Sequence, residues 1–341
     1  MYKLSYFVFL LVFNLQAQVS DFNQVNFKKA DSIARNLNGA SLSNLPILAY
    51  RLTGDLDSEV EKLRAIYMWI CHNIKNDYGL YALNMKKRRK YKDDSFALAD
   101  WNEFFKEKTL TRLLKQKRTI CTGYAYLLQK LSVFAGLECK MIHGYGRTVS
   151  TNIDVLSIPN HSWNVVQLNG KWYLVDPTWS SGYFNFEEKQ FIPSFNEGYF
   201  LTDPNLFIKS HYPLDFQWAL TDTDFTIDEF LTGPLVYGNS FKHDIIPVSP
   251  LKMRFEVEQN EKFKFQFEVV DKTNIHHVSL LLADSGKTLN AEMSFNKKEN
   301  LLEVETFIKH RGIYDIHVLV KEDIVATFVV KVRKSQIKNH N

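Results

Sequence analysis

The sequence predicts an α+β protein that ends in a β-sandwich. Helix-like apolar periodicity dominates as far as about residue 135, and a strand–turn–strand pattern follows near residue 170. From about Ile245 onward, short segments that alternate apolar and polar residues recur between turn sequences, as in antiparallel strands. With 341 residues, the chain is long enough for two domains.

The first 17 residues are expected to be a signal peptide. Lys3 supplies the positive start, and Leu4 to Leu15 form an apolar core that is too short to span a membrane. Ala17 suits cleavage, and no later stretch is long and apolar enough to form a membrane span. We therefore expect an exported protein, located in the periplasm, at the cell surface or outside the cell.

The composition is that of an ordinary globular protein, with 45% hydrophobic and 23% charged residues. A net charge of +4 is too small to indicate a nucleic-acid partner. The basic run Lys86–Lys90 is the exception, and we interpret it as a solvated loop. The alternative is a contact for an anionic polymer such as a cell-wall component. The sequence leaves the oligomeric state open.

A strong amphipathic helix is predicted after Asp57-Ser58, residues that suit a helix N-cap. Its buried face is expected to comprise Val60, Leu63, Ile66, Tyr67, Ile70 and Ile74. Residues 18–57 are predicted to form an N-terminal helical segment. The stretch Tyr78–Arg118 is polar at first and then helical around Phe96–Leu114, and we interpret it as an insertion.

Cys121 lies at the start of a further predicted helix. Thr119 is the expected N-cap and Gly136 the expected stop. The helix has apolar residues on one face at Ala125, Leu128, Leu131 and Phe134. In the first helical turn, unpaired N–H groups and the helix dipole favour the thiolate form of a cysteine. The alternative is a buried structural thiol, which is the commoner role of a free cysteine.

A β-hairpin is predicted around the dipeptide Asn169-Gly170. Both residues accept positive φ, as the two central positions of a type I′ turn require. A two-residue turn of this type pairs Leu168 with Lys171. The turn therefore sets the register of the whole hairpin.

Continued along both strands, this register places Trp163 opposite Asp176 and His161 opposite Thr178. One face of the hairpin then carries His161, Trp163, Val165, Trp172, Leu174 and Asp176. His161 and Asp176 become diagonal neighbours, about 7–8 Å apart at the backbone and within side-chain reach.

A histidine and an aspartate on this apolar face are costly to bury unless each satisfies the other. Their pairing would also orient the imidazole and stabilise its charged form, as a base for a thiol requires. The alternative is an ordinary structural hydrogen bond with no chemistry. Cys121, His161 and Asp176 are thus the candidate catalytic residues.

The chain has three cysteines, and an odd number in an exported protein leaves at least one thiol free. Cys71 and Cys139 either pair or remain inert buried thiols. No metal-binding spacing is present, and we expect neither a metal nor a cofactor. Asn160-His161-Ser162 is formally a glycosylation site, but a glycan there would cover the candidate base. That conflict favours a bacterial exported protein.

Several motifs, all in order between Ser58 and Leu220, resemble the transglutaminase-like superfamily of papain-type fold. They are Lys62-Leu-Arg-Ala-Ile-Tyr-Met-Trp-Ile, Ile74-Lys-Asn-Asp-Tyr, Cys121-Thr-Gly-Tyr-Ala, Ile142-His-Gly-Tyr-Gly, His161-Ser-Trp-Asn, Trp172-Tyr-Leu-Val-Asp-Pro-Thr-Trp, Tyr199-Phe-Leu-Thr-Asp-Pro and Ser210-His-Tyr-Pro. The pattern is similar to the branch that contains the kyphoscoliosis-type peptidases and bacterial secreted proteins. The resemblance implies helices packed on an antiparallel sheet, with Cys121 as nucleophile, His161 as base and acid, and Asp176 as the residue that orients the imidazole.

The resulting hypothesis is thiol-dependent acyl transfer on peptide or glutamine amides, with hydrolysis by a cysteine peptidase or amidase as the first choice. The alternatives are a protein-crosslinking transglutaminase, a non-catalytic binding scaffold of the same fold, and a hydrolase of cell-wall peptide. The Cys121 N–H is expected to bind the oxyanion. The candidate second donors and substrate contacts are Gln116, Trp101, Trp163 and Trp179.

The alternating segments of the last hundred residues predict an immunoglobulin-like β-sandwich without a catalytic grouping. Its expected role is to bind a partner or to orient the catalytic core. The predicted organisation is a signal peptide at 1–17, a helical segment at 18–57, a catalytic core at 58–220, a linker at 221–244, a sandwich at 245–334 and a loose tail at 335–341.

Overall fold

The structure, a computed structural model, describes residues 19–148, 158–185, 187–269, 275, 277–296 and 298–335. The predicted signal peptide lies outside these residues, as do residues 149–157 beside the candidate site and residues 336–341 of the predicted tail. Within the described ranges, no helix combines the length and the apolar character needed to cross a membrane.

The first third of the chain is helical, as its apolar periodicity predicts. The helices of the chain are α1 (Lys28–Asn36), α2 (Leu45–Thr53), α3 (Glu59–Asn73), α4 (Tyr78–Lys90), α5 (Ser95–Gln116), α6 (Cys121–Phe134), α7 (Pro177–Ser180), α8 (Pro204–Phe207), α9 (Ile227–Thr232) and α10 (Gly238–Lys242), with short 3₁₀ helices at Val19–Phe22, Glu197–Tyr199 and Phe216–Ala219. Helix α3 begins after Ser58, whose side chain accepts a hydrogen bond from the Glu61 N–H. Tyr67 and Trp69 of α3 are fully buried, and α1, α2 and α6 pack around this helix.

A five-stranded antiparallel sheet follows the helices. The strands up to residue 213 are β1 (Lys75–Asn76), β2 (Arg118–Thr119), β3 (Cys139–Gly146), β4 (His161–Leu168), β5 (Lys171–Val175), β6 (Gly182–Asn185), β7 (Gln190–Pro193), β8 (Phe200–Thr202) and β9 (His211–Pro213). The sheet has the order β8-β5-β4-β3-β9, while β1 pairs with β2 and β6 with β7. Helices α2, α3 and α6 cover one face, where Val166, Tyr173 and Val175 are buried.

The hairpin turn and its register are confirmed. Asn169 and Gly170 have φ values of 51° and 80°, and Leu168 pairs with Lys171. The predicted apolar face is also observed, because Trp163 and Leu174 lie together in a second core on the sheet face away from α6.

The hairpin ends sooner than the register alone predicts. Strand β5 stops at Val175, and the predicted pair His161–Thr178 is not formed. Asp176 instead caps α7, which begins at Pro177. Proline fixes φ and lacks an N–H, so it suits the first position of a helix and cannot extend the ladder.

The C-terminal part forms two facing sheets. Its strands are β10 (Leu235–Val236), β11 (Ile245–Ser249), β12 (Arg254–Glu258), β13 (Lys262–Val269), β14 (Val278–Leu282), β15 (Thr288–Leu289), β16 (Ala291–Asn296), β17 (Leu301–Phe307), β18 (Gly312–Val320) and β19 (Asp323–Arg333). One sheet has the order β10-β19-β18-β14-β15 with β12 alongside β19, and the other has the order β11-β13-β17-β16. Their inner faces share an apolar core that includes Phe265, Phe267 and Phe328. This arrangement confirms the α+β fold with a C-terminal immunoglobulin-like sandwich.

Two predictions about irregular structure are wrong. Lys86–Lys90 is the end of α4 rather than a loop, because Leu80 and Met85 bury one side of that helix. Residues 221–244 are not an extended linker, because they contain α9, β10 and α10, and β10 pairs with β19. The Arg147 guanidinium donates hydrogen bonds to the carbonyls of Phe230 and Gly233, at 2.9 and 2.8 Å, and so ties this segment to the core.

The approach of β9 to β3 depends on Gly144, which leads to a stability prediction. A Cβ there would lie 2.2 Å from the Tyr212 carbonyl oxygen and 2.6 Å from the Trp163 ring. We expect Gly144→Ala to lower the free energy of unfolding by about 2 kcal/mol, measured by urea denaturation. The matched control is Gly79→Ala in α4, where the nearest atom is 3.5 Å away and the change should be neutral or stabilising. If both substitutions change the free energy of unfolding equally, β3 can shift to accommodate the added Cβ, and the prediction is wrong.

Candidate active site

Cys121 is the first residue of α6 and is 7% exposed. The prediction that it lies in the first turn is confirmed, but the cap is Ile120 rather than Thr119, and no side chain caps the helix. A Cβ on Gly123 would overlap Thr119, so only glycine lets the chain turn this tightly into the helix. The first N–H groups of α6 are therefore not satisfied by a capping side chain and lie beside the thiol.

His161 opens β4, and its side chain crosses the backbone of β3. A Cβ on Gly146 would lie 2.9 Å from the His161 Cβ, so the strands need glycine at this crossing. Asn160 fixes the same point: its Oδ1 accepts from the Gly146 N–H at 2.7 Å, and its Nδ2 donates to the Gly146 carbonyl at 2.9 Å. The Trp179 ring stacks on the imidazole with centroids 4.6 Å apart.

Asp176 is fully buried, and both of its carboxylate oxygens are hydrogen bonded. Oδ1 accepts from the N–H groups of Thr178 and Trp179, at 2.7 and 3.2 Å, and thereby caps α7. Oδ2 accepts from Nε2 of His161 at 2.7 Å and from Nε2 of His211 at 3.1 Å. The four donors offset the cost of burying the carboxylate.

The two histidines on Asp176 differ in charge. Burial alone lowers the pKa of His161, but the charge and hydrogen bond of Asp176, together with the Cys121 thiol, raise it to about 10. Burial lowers the pKa of His211 to about 4, although Asp176 opposes that shift. Burial alone raises the pKa of Asp176, but the two imidazoles hold it well below its usual value. At neutral pH, His161 is therefore the charged partner and His211 is neutral.

The hydrogen bonds also orient the His161 ring. Its Nε2 donates to Asp176, which leaves Nδ1 as the ring nitrogen available to the Cys121 thiol, and the two residues line the same two cavities. The structure therefore brings the three predicted residues together in the order thiol, imidazole, carboxylate. That order is the one that a base-assisted nucleophile requires.

Residues 47–177 match the sequence profile of the family described as the transglutaminase-like superfamily. Kyphoscoliosis peptidase of Mus musculus is 33% identical over 206 residues, which are 60% of this chain and 28% of the peptidase. This part of the chain is therefore similar to the transglutaminase-like superfamily. Hillarin of Drosophila melanogaster is 28% identical over 234 residues, which are 65% of this chain and 26% of hillarin. The chain thus covers less than a third of the length of each of these two relatives.

Two solved structures are similar to separate parts of the chain. A structure described as a TGase covers 47% of this chain and 35% of its own, with 16% identity and a TM-score of 0.28. The Lin-41 filamin domain covers 27% of this chain and 91% of its own, with 13% identity and a TM-score of 0.21.

His211 is the residue of the candidate site to which the sequence did not assign a role. It opens β9, is 1% exposed and stacks on Phe207 with centroids 3.8 Å apart. Because its Nε2 carries the proton, its Nδ1 accepts from the Ser210 hydroxyl at 2.9 Å. The sequence feature that could have indicated this role is Ser210-His-Tyr-Pro, one of the motifs similar to those of the family. It lies 35 residues from Asp176 in the chain, so the sequence alone did not connect the two.

The His161–Asp176–His211 cluster also has the geometry of a metal site, since one ligand atom from each residue lies within 4.8 Å of the others. Both imidazole Nε2 atoms already donate to the same carboxylate oxygen. An ion would have to displace both protons and both hydrogen bonds. The chemistry of these donors therefore favours a hydrogen-bonded network over metal coordination.

The structure separates the other predicted contacts. Trp179 lines the site, whereas Trp163 is fully buried behind the imidazole, with its centroid 6.0 Å from that of His161. Trp101 of α5 donates to Asn84 of α4 at 2.9 Å and packs against the apolar cluster that includes Leu80 and Phe105. Gln116 is exposed and accepts from Arg112. Neither Trp101 nor Gln116 lines a cavity that contains Cys121.

Cys121 and His161 lie where two cavities meet, and Tyr81, Ile120 and Asn160 also line both. The aromatic cavity has a volume of about 580 Å³ and is lined by Tyr78, Trp179, Phe184, Phe191 and Phe195, and also by Asn76. The Arg88 cavity has a volume of about 480 Å³ and is lined by Arg88, His143, Met85, Phe105 and Met141. A chain laid across the thiol would therefore have a binding space on each side.

The other cysteines are unlike Cys121. All three thiols are free in the structure, so Cys71 and Cys139 are not paired. Burial raises the pKa of Cys139 to about 12 and that of Cys71 well above its ordinary value. Neither lines a cavity that contains His161. These two cysteines are inert core residues.

The charged pair His161–Asp176 predicts a pH-dependent contribution to stability. His161 has a folded pKa near 10 against an ordinary value of 6.5, so its contribution is complete below pH 6.5 and is lost as the pH rises through about 10. Because the pKa of Asp176 is lowered in the folded state, the contribution of Asp176 to stability is present above pH 3.8, the ordinary pKa of an aspartate. We expect Asp176→Asn to lower the free energy of unfolding by about 3 kcal/mol near pH 6, and by clearly less above pH 10, in urea denaturation.

The control for this measurement is Asp323→Asn. Asp323 also pairs with a histidine, His243 at 2.8 Å, but it is 31% exposed and should contribute at most about 1 kcal/mol. An Asp176→Asn effect that stays constant from pH 6 to above pH 10 would mean that only the cap of α7 is lost. That result would contradict a charged pair.

Proposed function

We propose that this protein is a thiol-dependent acyl transferase that hydrolyses peptide or glutamine amide bonds. The observation that carries the proposal is the His161 imidazole, which donates to buried Asp176 through Nε2 and lines the same two cavities as Cys121. The first-turn position of Cys121 supports the proposal because it favours a thiolate. The printed name of two relatives, kyphoscoliosis peptidase, favours hydrolysis over crosslinking.

In the proposed first step, the Cys121 sulfur attacks the amide carbonyl carbon and forms a tetrahedral oxyanion. The C–N bond then breaks, and the proton on His161 Nδ1 passes to the leaving amine. The product is a thioester on Cys121, and His161 becomes neutral. Asp176 keeps the ring in the orientation that presents Nδ1 to the sulfur and to the leaving nitrogen.

In the second step, water attacks the thioester and His161 Nδ1 takes its proton. The C–S bond breaks, a carboxylic acid leaves, and the thiolate–imidazolium pair is restored. A lysine amine in place of water would give a crosslink, and a glutamine side chain as the first substrate would give deamidation. The cysteine, histidine and aspartate have the same roles in all three reactions.

Asn76 is the proposed second oxyanion donor, in place of Gln116 and Trp101. Strand β1 pairs in parallel with β2, which places Asn76 opposite Thr119, two residues before the nucleophile. Asn76 also lines the aromatic cavity together with Cys121. An amide N–H beside the Cys121 N–H gives the pair of donors that a tetrahedral oxyanion requires.

The proposed function can be tested by incubating the protein with a peptide library and comparing the products by mass spectrometry. New chain ends, deamidated glutamines and lysine crosslinks distinguish the three reactions. We expect cleavage or deamidation that is absent in Cys121→Ala and retained in Cys139→Ala, since Cys139 is an equally buried thiol outside the site. Identical product patterns for wild type and Cys121→Ala would refute the enzyme and favour the binding scaffold.

The donor role of Asn76 predicts a specific kinetic effect. We expect Asn76→Ala to lower kcat by about 10²–10³ with little change in KM, because an oxyanion donor acts in the transition state. Asn239→Ala is the control, since Asn239 lines the same cavity from α10. If Asn76→Ala changes KM alone, or if Asn239→Ala lowers kcat equally, Asn76 is not the donor.

A further inference from the structure

Arg88 points into the active site rather than into solvent. It lines the Arg88 cavity together with Cys121 and His161. Its Nη1 donates to the Pro159 carbonyl at 2.7 Å, two residues before the candidate base. Its Nε is buried and has no hydrogen-bond acceptor among the residues that the structure describes. The Nη1 side of the guanidinium is thus held by Pro159, whereas the Nε–H group makes no hydrogen bond to the described residues.

Arg88 has no acidic partner in the described part of its cavity. The lining includes no aspartate or glutamate from the described residues, and Lys106, the other cation of the lining, pairs with Glu103 at 3.4 Å. Burial lowers the pKa of Arg88, and the groups that oppose this shift are Cys121, Tyr81 and Tyr145, none of which is a carboxylate. Burial and the charge of Arg88 both lower the pKa of His143, so that neighbour is neutral.

The other buried arginines of the described chain have their partners within the fold. Arg64 forms ion pairs with Asp31 and Glu197. Arg147 donates to the carbonyls of Phe230 and Gly233. In contrast, none of the ion pairs observed among the described residues includes Arg88.

A half-buried guanidinium without a counter-ion loses hydration, and for Arg88 the described fold replaces it at Nη1 but not at Nε. Its planar donors suit a carboxylate, which they bind through two parallel hydrogen bonds. We infer that Arg88 binds a carboxylate of the substrate on one side of the scissile bond. This inference rests on the proposed function, because it assigns the Arg88 cavity to a substrate of Cys121. The carboxylate belongs either to an acidic side chain or to a free C-terminus.

The first test compares alkylation of Cys121 by iodoacetate and iodoacetamide, which have similar size and differ in charge. The sulfur displaces iodide from either reagent, so the ratio of the two rates measures attraction of a carboxylate to the site. We expect Arg88→Gln to lower the ratio of the iodoacetate rate to the iodoacetamide rate about tenfold, as the loss of one charge-assisted hydrogen bond implies, because any change in thiolate reactivity affects both reagents alike. Arg88→Lys should retain part of the preference for iodoacetate.

Arg89→Gln is the matched control, since Arg89 is the exposed neighbour on the same helix and should not change the ratio. An unchanged ratio in Arg88→Gln would overturn the inference and leave the proposed function intact. Asp154 lies outside the described residues, so Asp154→Asn is tested too. A preference for iodoacetate that emerges only in Asp154→Asn would assign Arg88 to an ion pair within the chain and also overturn the inference.

The second test does not depend on a reactive thiol. Immobilised Cys121→Ala protein is incubated with a library of amidated peptides and with the same library as free acids, and retained peptides are identified by mass spectrometry. Aspartate or glutamate enriched in both libraries indicates a side-chain carboxylate, whereas retention of free acids alone indicates the C-terminus. Either preference should disappear in Cys121→Ala/Arg88→Gln. Equal retention of neutral and acidic peptides would refute the carboxylate site, whatever the alkylation of Cys121 shows about catalysis.

Discussion

The site depends on one buried carboxylate that accepts hydrogen bonds from four donors. Asp176 accepts from two backbone N–H groups of α7 and from two imidazoles, so it ends a strand, starts a helix and orients the candidate base. A buried charge is tolerated only when such partners are present. The hydroxyl of Tyr67 on α3 also lies 3.0 Å from the Asp176 carbonyl oxygen, which links the central helix to the same residue. The helical layer and the sheet therefore converge on this position.

Close backbone approach is the second constraint. Gly123 lets α6 begin directly after β2, Gly146 lets the imidazole cross β3, and Gly144 lets β9 approach so that His211 reaches the carboxylate. In each place, a Cβ would lie within 3.0 Å of another heavy atom. The site is thus assembled from segments far apart in the chain, and small residues determine how closely these segments meet.

Charge is distributed unevenly around the thiol. The imidazolium–carboxylate pair is balanced within the fold, and Arg64 is balanced by Asp31 and Glu197. Arg88 lacks such a partner among the described residues and lines the cavity that contains Cys121, the candidate nucleophile. An unbalanced charge beside a nucleophile is stabilised when a ligand supplies the opposite charge, which couples binding to electrostatics at the site.

Local sequence patterns were enough to predict the helix that carries Cys121, the hairpin that carries His161, and the alternating strands of the sandwich. Each follows from a turn dipeptide or an apolar period that acts over a few residues. Other features depended on contacts between distant segments. Two of them concern secondary structure: β5 ends before Asp176, and residues 221–244 form helices and a strand. The other two concern side chains: Arg88 lines the cavity of Cys121, and His211 supplies a second imidazole to the Asp176 carboxylate. The sequence therefore determined which side chains are candidates for the site, while the tertiary structure decided how they are paired, because burial and partner choice are properties of the packed chain.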